Sequence, residues 1–361
     1  MGARAQPPTA SRMMRWIGRL ALLLVLVVVV AGLGAWWAYS RVQAPYGGAT
    51  DAETFVDIPP GIGPAAIGAR LVQAGVVQDA WTFRVAVLVS GRARELKAGE
   101  YRFAAPMTAL DVVGKIARGD VYTRMLTFRE GLTIAEMALV FEERGFGAAA
   151  DFTTAAQNAA LIRDLDPAAR DLEGYLFPET YALPRRTPAA VVVERMVAGF
   201  KKAFAAELRT AAAADGLTVR QAVTLASLVK KETASAAERP LVAAVYRNRM
   251  KIRMGMQADP TVIYALQKAG QYDGNLSRED LQFDSPYNTY RYAGLPPGPI
   301  AAAGRASLEA AVKPAAVAYL YFVSRNDGTH VFAATLPEHN RNVQTWQVEY
   351  FRRQKQLGRA Q

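Results

Sequence analysis

Residues 218–233, TVRQAVTLASLVKKET, predict a helix whose last turn directs one acid toward its apolar side. At 100° per residue, Glu232 lies roughly 20° from Leu225, in the middle of the apolar stripe. Lys230 and Lys231 lie roughly 140° and 120° from Leu225 in opposite directions, so we expect both to face solvent. The run KKE is therefore predicted to hold two outward lysines and one inward carboxylate.

The inward position of Glu232 has two interpretations. Burying an ionised carboxylate is unfavourable unless it is paired, neutralised or placed in a cleft, and the C-terminal end of a helix disfavours negative charge. Both effects raise the pKa of the carboxyl group, which suits a general acid working near neutral pH. The alternative is a structural ion pair with Arg239, Arg247 or Arg249, and the spacing alone leaves it open.

Two stretches that follow predict further helices. Residues 238–250, ERPLVAAVYRNRM, carry a proline in a first turn, and their periodicity directs Arg249 toward the first helix. Residues 255–266, GMQADPTVIYAL, place Gln257 just before an Asp-Pro helix start, where Asp259 is the expected N-cap. Other helices are expected in three stretches, 187–214, 305–312 and 338–356.

Residues 284–300, DSPYNTYRYAGLPPGPI, form a loop dense in tyrosine, asparagine, proline and glycine. Tyrosine rings stack on the C–H faces of sugars, and side-chain amides form hydrogen bonds with sugar hydroxyls. The candidates for substrate binding are therefore Gln257, Tyr287, Asn288 and Tyr290. For any single tyrosine, ordinary packing is the alternative.

Several ordered motifs together resemble the membrane-anchored endolytic murein transglycosylase family (YceG-like). The resemblance covers essentially the whole chain from the apolar segment onward. The motifs that carry it are EGYLFPETYALP (173–184), LASLVKKETASAAERPLVAAVYRNRM (225–250), MGMQADPTVIYAL (254–266), DSPYNTYRYAGLPPGPI (284–300) and YLYFVSRNDGTHVFAATLPEHN (319–340).

The resemblance implies that Glu232 is the catalytic acid. Many relatives carry a second acid two residues earlier, where this chain has Lys230, so Glu232 is the only acid left in the motif. The implied reaction cleaves the MurNAc–GlcNAc β-1,4 bond within nascent strands, leaves 1,6-anhydro-MurNAc ends and terminates strand elongation. Because the nucleophile belongs to the substrate, one carboxylate is enough. The implied partners are peptidoglycan strands and peptidoglycan synthases, with no cofactor and no metal.

Two other functions stay open on the residues alone. A hydrolytic muramidase would use Asp259, Asp284 or Glu238 as a second acid, and its products would have reducing rather than anhydro ends. A non-enzymatic wall-binding anchor would bind glycan strands without shortening them.

Residues 20–40 contain no charge and, as a helix, span roughly 30 Å, the thickness of a bilayer core. Arg19 and two further arginines precede this segment, and Trp36 and Trp37 lie near its other end. The positive-inside rule then places the N-terminus in the cytoplasm and the rest of the chain outside the inner membrane. The alternative is a cleaved signal peptide, whose apolar region is usually shorter.

A mixed α+β fold with five parts is expected. These are a cytoplasmic tail (1–19), a transmembrane helix (20–40), a linker (41–52), a LysM-like α+β region (53–150) and a mainly helical catalytic domain (151–361). Apolar runs on both sides of Asn326-Asp327-Gly328 add a small β-ribbon to the catalytic domain. The LysM-like assignment is implied by the resemblance.

A weak internal repeat relates residues 56–76 to residues 126–146. In each copy a short strand leads through a glycine, Gly61 or Gly131, into an amphipathic helix that ends at a second glycine. The alternative is that short strand–helix units recur by chance.

Composition excludes several classes of protein. The chain has no cysteine, so disulfide frameworks and cysteine nucleophiles are absent, and only two histidines could serve a metal site or a triad. The net charge is +11, but five arginines lie in the acid-free first 41 residues. Because the remainder carries 38 basic and 32 acidic residues without a dense basic block, we expect no nucleic-acid partner.

Overall fold

The computed structural model of the protein describes residues 10–47 and 53–357. Three pieces of the predicted organisation lie outside the described residues: 1–9 of the tail, 48–52 of the linker and 358–361 of the catalytic domain. In the part that is described, the fold mixes helices with three two-stranded sheets. The mixed α and β class predicted from sequence is confirmed.

Helix α1 (Ala10–Gln43) contains the predicted membrane segment. Its part Trp16–Gln43 is long and apolar enough to cross a membrane, with a mean hydropathy of 2.6. The helix continues past residue 40, because Val42 is buried in the core of the smaller unit and Arg41 forms an ion pair with Asp79 at 3.0 Å. Residues 41–43, which we expected in the linker, therefore continue the helix.

The chain folds into two compact units, Met1–Arg124 and Met125–Gln361. After α1, the first unit contains β1 (Thr54–Ile58), α2 (Pro64–Gln73), α3 (Ala80–Ser90), β2 (Gly99–Phe103) and α4 (Ala109–Arg118). The two strands are antiparallel, in a register from Thr54 opposite Phe103 to Ile58 opposite Gly99. This is a small α+β arrangement, and its LysM-like nature stays a prediction.

The chain continues through β3 (Thr123–Thr127), which pairs with β4, into a unit dominated by helices. Its elements are α5 (Ile134–Glu143), α6 (Ala149–Ala156), β4 (Thr180–Pro184), α7 (Ala189–Ala203), α8 (Ala206–Ala214), α9 (Val219–Glu232), α10 (Arg239–Lys251), α11 (Asp259–Lys268), α12 (Arg305–Val312), β5 (Tyr321–Ser324), β6 (His330–Ala333), α13 (Leu336–Val343), a π-helical turn (Gln344–Glu349) and α14 (Tyr350–Leu357).

The boundary between the two units falls earlier than the one predicted after residue 150. A cut at that position would pass through α6. Phe141 of α5 and Phe152 of α6 pack together with ring centroids 5.4 Å apart, and both belong to the large core of the second unit. The helix that we expected over 187–214 is two helices, α7 and α8, because the backbone leaves the helical conformation at Phe204.

The two copies of the sequence repeat adopt the same local conformation. Gly61 and Gly131 both take left-handed backbone angles, with φ of 83° and 88°. Ile58 at the end of β1 and Phe128 just after β3 are both buried. Glycine is the residue that adopts this conformation without a steric penalty, which explains why it recurs at the turn.

Helix α9 lies at the centre of the second unit. Its residues 222–229 are buried on every side, and Thr218 caps its N-terminus in a reciprocal capping box with Gln221. The helix packs on α10, α11 and α12. Glu232 is its last residue, so the core positions the predicted acid.

The ribbon predicted around Asn326-Asp327-Gly328 is confirmed. Strands β5 and β6 are antiparallel, with Ser324 opposite His330. The turn uses two left-handed residues, Asn326 at φ 66° and Gly328 at φ 87°.

Candidate active site

Glu232 ends α9 as a half-buried carboxyl group. Its Oε1 accepts a hydrogen bond of 2.8 Å from the hydroxyl of Tyr246, a buried residue of α10. The inward direction predicted for Glu232 is confirmed, and Lys231 is exposed as expected. The prediction for Lys230 was wrong: its side chain is 17% exposed and forms a 3.5 Å ion pair with Glu130.

Burial raises the pKa of Glu232 to about 7. The hydrogen bond from Tyr246 opposes this rise, as do the charges of His330 and Arg249, whereas the negative charge of Asp259 adds to it. A carboxyl group with this pKa is populated in both protonation states near neutral pH, as general acid–base chemistry requires.

Two of the three arginines considered as ion-pair partners bind other acids. Arg239 contacts Glu130 at 3.2 Å, and Arg247 contacts Asp215 at 3.0 Å. Neither forms an ion pair with Glu232 among the residues that the structure describes.

The third arginine, Arg249, is buried and donates hydrogen bonds to backbone carbonyl groups. Its Nε donates to the carbonyl of Leu320 at 2.7 Å, and its Nη1 donates to the carbonyl of Met256 at 2.6 Å. The guanidinium group also lies over the ring of Tyr321, 5.6 Å from its centroid. Arg249 thus acts on Glu232 through its charge alone. None of the three arginines therefore supports the interpretation of Glu232 as a member of a structural ion pair.

Asp259 and Tyr290 form the next part of the cluster. The hydroxyl of Tyr290 donates to Oδ1 of Asp259 at 2.6 Å. Burial raises the pKa of Tyr290, and this hydrogen bond and the charges of Asp259 and Glu232 raise it further. We expected Asp259 as the N-cap of α11, and this was wrong, because Asp259 is the first helical residue and Ala258 occupies the cap. The carboxylate of Asp259 therefore remains available to the site.

Gln257 lies just before α11 with an exposed side chain and a left-handed backbone, φ 48°. Its N–H donates to the carbonyl of Thr289 at 3.3 Å, which places it beside Tyr290 on the neighbouring loop. Non-glycine residues with positive φ are uncommon and concentrate at functional sites.

Asn288 organises the loop from inside. It is fully buried, and its amide donates to the carbonyls of Leu281 at 3.0 Å and Phe283 at 2.8 Å. Its Oδ1 accepts from the N–H of Tyr290 at 3.0 Å. The amide thus uses both donors inside the protein and positions Tyr290.

Tyr287 lies in a different part of the same unit. Its ring centroid is 4.9 Å from that of Tyr264, and it borders a cavity that Glu173 and Lys268 also line. Tyr290 therefore lies close enough to Glu232 for their charges to interact, and Gln257 lies beside Tyr290, whereas Tyr287 packs against Tyr264 in another part of the unit.

Sequence reasoning missed Tyr246 and His330. Tyr246 is four residues after Val242 and three before Arg249 on α10, so helical periodicity placed it on the face already assigned to Arg249. His330 Nδ1 is 2.8 Å from Oε2 of Glu238, a contact between residues 92 positions apart that periodicity does not reveal.

The three acids considered as partners for a hydrolytic reaction differ in their surroundings. Glu238 is held by His330 and by the hydroxyl of Thr233 at 3.1 Å. Asp284 is exposed and accepts from Tyr292. Among the three, Asp259 is the acid whose charge acts on Glu232.

A family model described as the YceG-like family matches residues 56–345 of the chain. A protein from Bacillus subtilis (strain 168) named endolytic murein transglycosylase is 32% identical over 303 residues, which cover 79% of this chain and 82% of that protein. A protein of the same name from Streptococcus pneumoniae serotype 2 is 30% identical over 318 residues, or 80% of this chain and 57% of its relative.

A solved structure resembles this fold. The crystal structure of a yceG-like protein from Listeria monocytogenes superposes with a TM-score of 0.55 at 30% sequence identity. The match covers 81% of this chain and 99% of the Listeria chain. The resemblance therefore extends over both compact units.

Proposed function

The chain belongs to the YceG-like family, and from this premise we propose that it is an endolytic murein transglycosylase with Glu232 as its catalytic acid. One observation carries the assignment of the residue. A half-buried carboxyl group with a pKa of about 7 ends the central helix and accepts a hydrogen bond from Tyr246.

In the proposed reaction, protonated Glu232 donates its proton to the glycosidic oxygen between MurNAc and GlcNAc. The C1–O bond breaks and the GlcNAc-containing fragment leaves as an alcohol. The carboxylate of Glu232 then takes the proton from the 6-hydroxyl of the same MurNAc, whose oxygen bonds to C1. The product is a 1,6-anhydro end, no water is consumed, and Glu232 returns to its protonated form.

Tyr246 and Arg249 stabilise the intermediate form of the acid. After the first proton transfer, Glu232 is an anion, and the hydroxyl of Tyr246 together with the charge of Arg249 favour that state. Both groups are fixed before the reaction by packing and by backbone hydrogen bonds, so little reorganisation accompanies the proton transfer.

Substrate contacts are proposed for the exposed side chains near the acid. Gln257 and Tyr290 are open to solvent on neighbouring loops, where an amide and an aromatic ring suit a sugar. Asn288 contributes indirectly by fixing Tyr290. Tyr287 would contact a more distant part of the substrate.

The test is digestion of uncrosslinked nascent strands by the full-length chain, with products identified by mass. Glu232→Gln should lose at least 10²-fold in cleavage rate while its thermal unfolding stays cooperative, because loss of a general acid typically costs 10²–10⁴-fold. Glu207→Gln, which changes a surface acid of α8, is the matched control and should retain activity. An active Glu232→Gln protein would refute the assignment.

Hydrolysis is the second candidate, and the position of Asp259 favours it among the alternatives. Asp259 is close enough to influence Glu232 electrostatically, so it could activate a water that attacks C1. Reducing ends in the wild-type products would establish a muramidase, whereas anhydro ends support the transglycosylase. Binding without any shortening of strands would instead indicate a wall-binding anchor.

The proposed location follows from α1. The helix would anchor the chain in the cytoplasmic membrane as a single span, with the N-terminus in the cytoplasm and the large unit outside, where murein lies. Peptidoglycan synthases are the proposed partners, since they produce the nascent strands. A LysM-like role for the smaller unit is part of the same proposal.

A further inference from the structure

A second polar site lies in the larger unit, away from the contacts of Glu232. We call it the Lys268 cleft and define it by Arg170, Asp171, Glu173, Lys268 and Tyr287. These residues line a cavity of about 380 Å³, and Asp171, Glu173 and Lys268 also line an adjoining cavity of about 360 Å³. Volumes of this size accommodate part of a small ligand.

The wall of the cleft is rigid. Pro286, Pro297 and Pro299 contribute to it, and proline restricts the backbone. Gly174 has a left-handed φ of 80°, and a Cβ at this position would overlap the ring of Pro299. The cleft is therefore pre-formed and does not depend on a ligand for its shape.

Two cations of the cleft, Lys268 and Arg170, form no ion pair with any residue that the structure describes, although the charge of Lys268 acts on Glu173. Among the described residues, the side chains of Lys268 and Arg170 form neither a hydrogen bond nor an ion pair. The Nζ of Lys268 lies 5.8 Å from the ring centroid of Tyr264 and 5.9 Å from that of Tyr287. The two rings hold the ammonium group in place by cation–π attraction and leave its N–H donors free.

The acids of the cleft are largely occupied or neutral. Asp166 is engaged by the guanidinium of Arg220 at 2.8 and 3.0 Å. Glu173 is 8% exposed, and burial raises its pKa to about 8. The cleft thus presents two cations without an ion pair, Lys268 and Arg170, beside Asp171 and the buried Glu173, which suits a zwitterionic ligand with more carboxylates than amines.

Helix α11 connects the cleft to the candidate active site. It begins at Asp259, whose charge acts on Glu232, and ends at Lys268. Nine residues at 1.5 Å rise separate these positions by roughly 13 Å. An extended peptide of about four residues spans roughly the same distance.

We propose that the Lys268 cleft binds the carboxylate-bearing peptide stem of the murein strand that is positioned at Glu232. Murein sugars carry short peptides with free carboxylates and amines, which match the charges of the cleft. This inference rests on the proposed function, because it is the strand at Glu232 that brings the peptide within reach.

The experiment measures binding rather than cleavage. Full-length Glu232→Gln protein is titrated with soluble strand fragments that carry peptide stems, and with the same fragments after an amidase has removed the peptides. We expect the stems to lower Kd at least tenfold. In Glu232→Gln proteins that also carry Lys268→Gln or Arg170→Gln, the ratio of the two Kd values should fall toward one.

Lys202→Gln in the same background is the matched control, since Lys202 is an exposed lysine of α7 without a described ion pair, and it should preserve the ratio. Equal affinity for the two kinds of fragment would overturn the inference. The inference would also be overturned if the variants weakened the binding of stripped and peptide-bearing fragments equally, because that result would indicate a contact with sugar. Failure of the wild type to cleave strands would refute the proposed function without affecting this measurement.

Discussion

The position of Glu232 at the end of α9 determines the environment of its carboxyl group. The helical phase of the sequence predicted its inward direction, and the structure adds the hydroxyl of Tyr246 as its partner. The helical phase could not predict that the Lys230 side chain is largely buried, because this burial depends on Glu130, which is 100 residues away in sequence. Local periodicity predicts which way a side chain faces, whereas long-range partners decide how deeply it lies.

The proposed role of Glu232 as the general acid predicts how the wild-type cleavage rate depends on pH. Its pKa is about 7, and the first proposed step needs the protonated form. We expect the rate to fall about tenfold per pH unit once pH exceeds about 7, because the protonated fraction falls at that rate. Initial rates between pH 5 and pH 9 test this, and a rate that still rises between pH 8 and pH 9 would contradict it.

Tyr246→Phe should shift the dependence of rate on pH toward higher pH. The hydrogen bond from Tyr246 favours the charged carboxylate and lowers the pKa of Glu232, so its removal raises this pKa. The decline in rate should then begin at higher pH, and the maximal rate should fall because the anion is less stabilised. Tyr292→Phe, which removes an exposed hydroxyl bonded to Asp284, should leave the profile unchanged.

Glu232 should also reduce the stability of the protein at alkaline pH. Its folded pKa of about 7 exceeds the ordinary value of 4.5, so the folded state holds its proton more tightly and stability falls as pH rises between these values. Glu232→Gln removes this effect and should stabilise the fold by on the order of 1–3 kcal/mol at pH 8. Thermal unfolding at pH 8 should show a gain that disappears at pH 4.

At the scale of elements, the turn signal and the helical periodicity gave the most reliable predictions, whereas the cap predicted at Asp259 was wrong. The Asn-Asp-Gly ribbon formed as expected, and the ends of α9, α11 and α12 lie within a residue or two of the predicted ones. The break between α7 and α8 was missed, because the backbone leaves the helical conformation at Phe204, whose side chain is fully buried in the core of the second unit. Core packing there outweighs helix propensity.

The N-terminal cap of α9 should matter for stability. Thr218 accepts a hydrogen bond from the N–H of Gln221 at 3.2 Å, and the Gln221 side chain accepts one from the N–H of Thr218. Thr218→Ala should lower the free energy of unfolding by about 1 kcal/mol. Urea unfolding measures the change, Thr218→Ser should restore most of it, and an unchanged midpoint in Thr218→Ala would contradict the role of the cap.

At the scale of the whole molecule, the absence of cysteine allows a direct test of membrane orientation. A membrane-impermeant thiol reagent should label Lys202→Cys in intact spheroplasts and Ser11→Cys only after lysis. The opposite pattern would contradict the proposed orientation. Loss of an N-terminal tag from the mature protein would instead indicate a cleaved signal peptide.

Helix α1 carries a mechanical consequence. It runs without a break from the apolar span into the smaller unit, where Val42 is buried and the ring of Trp37 lies 5.5 Å from that of Trp81. A continuous helix limits the distance between that unit and the bilayer, whereas a flexible linker would let the distance vary. If α1 spans the membrane in the proposed orientation, the smaller unit stays within a thin layer next to the bilayer and does not reach wall material farther out.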